Sequence, residues 1–166
     1  MPLALQVAVA LAALLLALRA GLLSGTLRAG GRCPAGAVGF MAAHGFGGNV
    51  LAEYGWGGYL IWHAPAGSKV FIDSRFEMVY PLRVQRDYLD LLRGGAGASA
   101  VLAAYPTDYV LMPPDSAASR FMAAQAGWRL LYRDPVAALF ARADSPAAHL
   151  AGVPLLRYEA PPSLFP

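Results

Sequence analysis

Residues Trp128 to Ala141 read WRLLYRDPVAALFA. Two apolar runs, Trp128–Arg133 and Val136–Ala141, flank the dipeptide Asp134-Pro135, and two such runs around a tight turn predict an antiparallel β-hairpin. This hairpin decides the fold because the strands before it are of another kind. Tyr109–Met112 is YVLM, four apolar residues without alternation, cut off by Pro113 and Pro114. A run of that sort suits a strand covered on both faces. Lys69–Ile72, KVFI, ends at Asp73 in the same manner, and Asn49–Leu51 is a shorter candidate.

Helical patterns lie between these strands. Pro34 suits a first helical position, Val38, Met41 and Ala42 share a face, and Gly45 can end that helix. Val84, Tyr88, Leu91 and Leu92 recur at helical spacing ahead of Gly94 and Gly95. Ser99 can cap a short helix to Ala104, and Asp115 or Ser116 can cap another that runs to Gln125 and stops at Gly127. Strands separated by helices, with a hairpin at the end, predict an α/β body: one mixed sheet of about five strands with helices layered on it.

Outside the body the chain changes character. Of its 166 residues 57% are hydrophobic and only 14% charged, with a mean hydropathy of +0.46. A soluble domain carries about 25% charge, so part of this chain is suited to lipid. Pro2 to Leu18 holds no charge, and with Arg19 snorkelling the apolar stretch extends to Leu23, long enough to span a bilayer as a helix. A secretory signal peptide is the second reading and a buried core helix the third. The domains expected are a transmembrane helix over 1–23, a Gly-rich linker over 24–33, the α/β body over 34–143 and a Pro-rich irregular tail over 144–166. Arg19, Arg28 and Arg32 follow the span, which by the positive-inside rule alone would keep the body cytoplasmic. Helices further upstream would override that bias.

The charged residues exclude several functions. Thirteen basic residues face 10 acids, and Lys69 is the only lysine. The arginines are scattered, without a basic run to follow a phosphate backbone, so nucleic acid is not an expected partner. Cys33 is the only cysteine and forms no intrachain disulfide. GFGG at Gly45–Gly48 lacks dinucleotide spacing, and His44, His63 and His149 lack the spacing of metal ligands, so neither cofactor nor metal is expected. Ser74 beside Asp73, with His63 upstream, does not make a recognisable triad.

Two segments stand out. Glu53–His63 is EYGWGGYLIWH, whose Gly55, Gly57 and Gly58 each cost about 1 kcal/mol relative to Ala in a helix. That suggests a backbone brought close to a neighbour. Glu53 lies just beyond one strand, and Asp73 and Arg75 just beyond another. Adjacent strand ends would gather these groups at one crevice, the usual ligand position in open α/β sheets. The opposing interpretation makes Tyr54, Trp56, Tyr59 and Trp62 packing aromatics, and Asp73 with Arg75 a structural ion pair.

The order EYGWGGYLIW, KVFIDSR, Tyr80, DYVLMPPDS and GWRLLYRDPVAALFAR, over about Pro34 to Arg142, resembles the extracytoplasmic C-terminal domain of bacterial polytopic membrane proteins related to the GT-C glycosyltransferases. More remotely, those proteins are similar to mannosyltransferases and oligosaccharyltransferase catalytic subunits. The resemblance implies upstream membrane helices, an extracytoplasmic body at the bacterial cell membrane, and catalytic acids in an early loop that has no counterpart here. EYGWG is loosely similar to an acceptor-recognition motif in which an Asp stands where this chain has Glu53. Ser74 likewise replaces a more usual Gly. By this resemblance the chain helps bind an acceptor or a lipid-linked sugar through Glu53, Tyr54, Trp56, Asp73 and Arg75, with no catalytic residue of its own. A membrane-anchored interaction or scaffold domain is the alternative.

Overall fold

The computed structural model of the protein describes residues 33–150. The expected transmembrane helix, Pro2–Leu23, lies outside them, as do almost all of the linker and the end of the tail. Among the described residues no helix is long and apolar enough to cross a membrane.

The body is α/β, with five strands in one mixed sheet. The strands are β1 (Asn49–Ala52), β2 (Lys69–Val70), β3 (Tyr109–Met112), β4 (Trp128–Arg133) and β5 (Ala138–Arg142), in the order β2-β1-β3-β5-β4. β1 runs parallel to both β2 and β3, whereas β5 is antiparallel to β3 and β4. The hairpin therefore closes a parallel unit with an antiparallel one, and β3 is the strand they share.

Alternate residues feed two cores. Val50, Ala52, Tyr109, Leu111, Leu139 and Ala141 join residues of α1 (Ala35–Ala43), the 3-10 turn Tyr54–Trp56 and α2 (Gly57–His63). Leu51, Val110, Met112, Ala138 and Phe140 point to the other layer. That second layer is built from α4 (Leu82–Arg93), α5 (Ala96–Ala104) and α6 (Ala117–Ala123), entered through the short α3 (Phe76–Val79). All four residues of β3 are buried, as the uninterrupted YVLM run predicts. In β4 a bulge between Leu130 and Tyr132 turns Leu131 and Tyr132 both inward.

Several boundaries differ from the sequence reading, each for a local reason. β2 stops at Val70 rather than Ile72: Phe71 N–H makes the last bond to Val50, and the chain then leaves the sheet with Ile72 buried in the second core. β5 starts at Ala138 because the N–H groups of Val136 and Ala137 donate to Asp134 Oδ1, both at 2.7 Å, inside the turn. α5 begins at Ala96 and not at Ser99. Gly94 and Gly95, with φ of +74° and +85°, reverse the chain so tightly that Ser99 N–H already bonds to the Gly95 carbonyl. Ser116 does cap α6, its hydroxyl accepting from Ser119 N–H, but that helix ends at Ala123. Pro34 stands one residue before α1, and Ala37 joins Val38 and Met41 in the core where Ala42 is exposed. The tail is not wholly irregular: Pro146–Leu150 forms a 3-10 helix with Ala147 buried in the first core.

Because β3 has no solvent face, Val110→Asp should leave the body without a cooperative thermal transition, an unpaired core charge being intolerable there. Leu111→Ala should keep the fold and lose about 2–5 kcal/mol in denaturant unfolding.

Candidate binding site

The parallel pairing of β1 and β2 brings both C-terminal ends to one edge of the sheet. Glu53 follows β1 and Asp73 follows β2. Between them α2 begins, and its first residue explains the glycine. A Cβ on Gly57 would lie 2.5 Å from Asp73 Cβ and 2.6 Å from both Asp73 Cα and the Ile72 carbonyl oxygen. The helix thus starts directly against the backbone that leaves β2, as the glycine-rich sequence suggests. Gly58 has nothing within 4 Å of such an atom.

This contact helps bury Asp73, whose side chain is 4% exposed. A buried carboxylate needs charge-assisted partners. Arg75 supplies them: its backbone N–H and Nε both reach Oδ1 at 2.9 Å, and Nη2 reaches Oδ2 at 2.5 Å. The Tyr80 hydroxyl helps to hold the same carboxylate down. Chiefly through the Arg75 bond, the Asp73 carboxyl is held down at about 2 from an ordinary 3.8. The guanidinium is raised in turn by that pairing. Its outer side remains 60% exposed, with further donors of the five-donor fork beyond those the carboxylate takes.

Arg75 opens onto a groove of about 490 Å³. Tyr54, Phe76 and Tyr88 line it and form one aromatic cluster, with ring centroids 5.8 to 6.4 Å apart. Leu89 and Leu92 of α4 add an aliphatic wall. The Tyr54 N–H donates to the Tyr88 hydroxyl at 2.9 Å, which fixes the end of β1 to α4. Burial pushes the Tyr88 phenol far up, so it stays protonated. The polar groups on the groove, the Arg75 fork and the Tyr54, Ser74 and Tyr88 hydroxyls, are all able to donate, which suits a ligand with acceptor oxygens and an apolar part.

The predicted site residues are distributed unevenly. Tyr54 and Arg75 line the groove, and Asp73 lies behind Arg75 as its anchor. Glu53 turns back on its own chain: Oε2 accepts from Gly55 N–H at 2.8 Å and caps the 3-10 turn. Burial pushes its carboxyl up, against the opposing pull of the Gly55 and Trp56 N–H groups. Trp56 is buried in the first core, so its ring is a packing surface and not a stacking platform. Phe76, Tyr88, Leu89 and Leu92 were not read as site residues. Tyr88 carried the one available signal, a phenol on the apolar stripe of a helix, whose hydroxyl needs a partner when buried.

Asp73 does not serve a triad, since Arg75 engages both of its oxygens. His44 bonds to the Phe40 carbonyl and His63 stacks near Tyr59. Among the described residues no group of three His, Cys, Asp or Glu side chains could hold a metal ion.

Gly57→Ala should destabilise the body by about 1–3 kcal/mol through overpacking. Gly58→Ala, with open space at its Cβ, should gain up to about 1 kcal/mol from helix propensity. Paired denaturant melts separate the two. Asp73 supplies a pH test: a carboxyl depressed in the fold adds stability that is present above its unfolded pKa and is lost as pH falls from 3.8 through about 2. Carboxyl-carbon NMR titration should place its midpoint near 2, and Arg75→Gln should move the midpoint up towards 3.8.

No family model, no curated protein and no solved structure matches this chain.

Proposed function

We propose that the chain is the C-terminal, non-catalytic portion of a GT-C-like membrane glycosyltransferase and that its groove binds the acceptor or the lipid-linked sugar at the membrane surface. One observation carries this reading: Arg75, anchored by a buried carboxylate, presents the open side of its guanidinium to a groove with aromatic and aliphatic walls. That combination matches an amphiphile with anionic or hydroxylated oxygens at one end. The order of motifs from Glu53 to Arg142 supports the same assignment, as does the apolar length of Pro2–Leu23, whose one charged side chain is Arg19. Upstream membrane helices would then bring the transferring acids.

The scaffold reading has an observation of its own. Ile61 and Trp62 are exposed on α2, away from any role in the groove lining. A protein partner covering Trp62 would make α2 the working face.

Titration of the detergent-solubilised full chain with a short-chain prenyl phosphate and with a prenyl phosphosugar tests the proposal. Arg75→Ala should weaken binding about ten- to a hundredfold, corresponding to about 1.5–3 kcal/mol for a charged hydrogen bond. Trp62→Ala should leave it unchanged. Equal affinity of the wild-type and Arg75→Ala chains, or no binding of either probe, would overturn the groove assignment and leave the scaffold reading.

A further inference from the structure

The groove has an outer lip that extends beyond the binding walls. Met78 of α3 is 90% exposed, and Val79, Leu82 and Leu89 are also exposed. Leu82 and Leu89 lie seven residues apart, on one stripe of α4, and Met78 and Leu89 both border the groove. Large apolar side chains gathered in this way mark a surface that is covered in the working state.

Charge indicates what covers it. Arginines are interleaved with the apolar residues, at Arg75, Arg83, Arg86 and Arg93. The acids of the same stretch are Asp73, Glu77, Asp87 and Asp90, so the formal charges balance. Exposure does not. Arg83 and Arg93 are 83% and 72% exposed, whereas Asp87 is 27% exposed and turned inward to the Tyr105 hydroxyl at 2.6 Å. The carboxylate paired with Arg75 is buried. Asp90, beside Arg93, shares the outer surface, at 46% exposure. Guanidinium groups on long stems beside exposed Met and Leu are the pattern of a face that inserts its apolar residues among lipid headgroups while the cations meet phosphates.

We propose that the outer face of α3 and α4 docks on the surface of an anionic lipid bilayer. This rests on the membrane reading above for the nearness of the bilayer: only residues 24–33 separate the apolar stretch Pro2–Leu23 from the body. The contact itself rests on the residues of the face. Docking there sets the mouth of the groove at headgroup level, where an amphiphile can enter from the bilayer with its polar end towards Arg75.

The test uses the full chain in nanodiscs of phosphatidylcholine, with or without phosphatidylglycerol. On a Cys33→Ser background, Met78→Cys carries a fluorophore, and Ala43→Cys on α1 carries the control label. The Met78 label should be quenched by doxyl-labelled lipid in the anionic discs, less in the neutral discs and less in high salt, while the Ala43 label stays open to an aqueous quencher. Joint Arg83→Glu, Arg86→Glu and Arg93→Glu should abolish the phosphatidylglycerol dependence. Leu82→Ser, a milder change, should reduce lipid quenching with the circular dichroism unchanged. Equal aqueous quenching of the Met78 label in both discs would overturn the inference. So would protection in detergent that grows with protein concentration, which would assign the face to a second copy. Lipid quenching indifferent to phosphatidylglycerol and to the arginines would also overturn it, because tethering alone would then explain the contact. A chain that resists incorporation but floats with phosphatidylglycerol vesicles in a salt-reversible way would support the face and overturn the span. A chain that floats with neither vesicle would overturn both.

Discussion

Tyr109–Met112 has no side that can face water, and the rest of the body follows from that constraint. Its four side chains are buried alternately in two cores, and its backbone is paired on both edges, parallel to β1 and antiparallel to β5. A strand so placed needs a helical layer above and another below. The chain supplies the first with α1 and α2 and the second with α4, α5 and α6. The crossover from β2 back to β3 passes through the second layer, so β1 ends between two strands of its own direction, with helix starts on both faces. The edge of the sheet that carries the groove is therefore set by packing before any ligand is considered.

At that edge one close approach has chemical consequences. Gly57 lets α2 begin against the backbone of Ile72 and Asp73, and the Asp73 carboxylate is buried there. A charge in that position is tolerated only with a strong partner, and Arg75, two residues on, bonds it through backbone and side chain together. The same pairing that satisfies the carboxylate fixes the guanidinium at the mouth of the groove. In the proposed role the affinity for an anionic group is moderated by Asp73, which leaves the pair formally neutral. Orientation of donors, rather than net positive charge, would then select the ligand. The aromatic cluster and α4 complete the groove, and the outer side of α4 faces away from both cores.

The candidate site was partly legible. The glycines of EYGWGGYLIWH signalled a close backbone approach, and Gly57 makes one, though Gly58 does not. Asp73 and Arg75 were singled out because they close a strand, and their pairing reconciles the two readings offered for them: it is a structural ion pair that also presents an exposed arginine. Trp56 was misplaced because an aromatic residue beside glycines reads alike whether it points into a core or out of it; the 3-10 turn rotates it inward while Tyr54, two residues earlier, stays at the surface. Tyr88, Leu89 and Leu92 were read only as a helix stripe. Nothing in their spacing tells which strand end that stripe will meet, since that contact spans more than thirty residues of chain.

The sequence alone determined the five strands, the helices α1, α4, α5 and α6, and the closing hairpin, because each rests on local patterns: uninterrupted apolar runs, helical spacing, and turn residues such as Asp134-Pro135; α2 and α3, in segments without such a pattern, appear only in the structure. It also determined that no more than a few charged groups could serve a site. Tertiary structure decided where elements stop and what their ends do. β2 is cut short where the chain turns away to pack, Gly94 and Gly95 start α5 early, and Asp134 takes the N–H groups that would have lengthened β5. It alone decided that Glu53 caps a turn, that Trp56 is core, and that Arg75 shares a groove with Tyr88. Those outcomes depend on competition for backbone partners and on burial between distant segments, which no local pattern encodes.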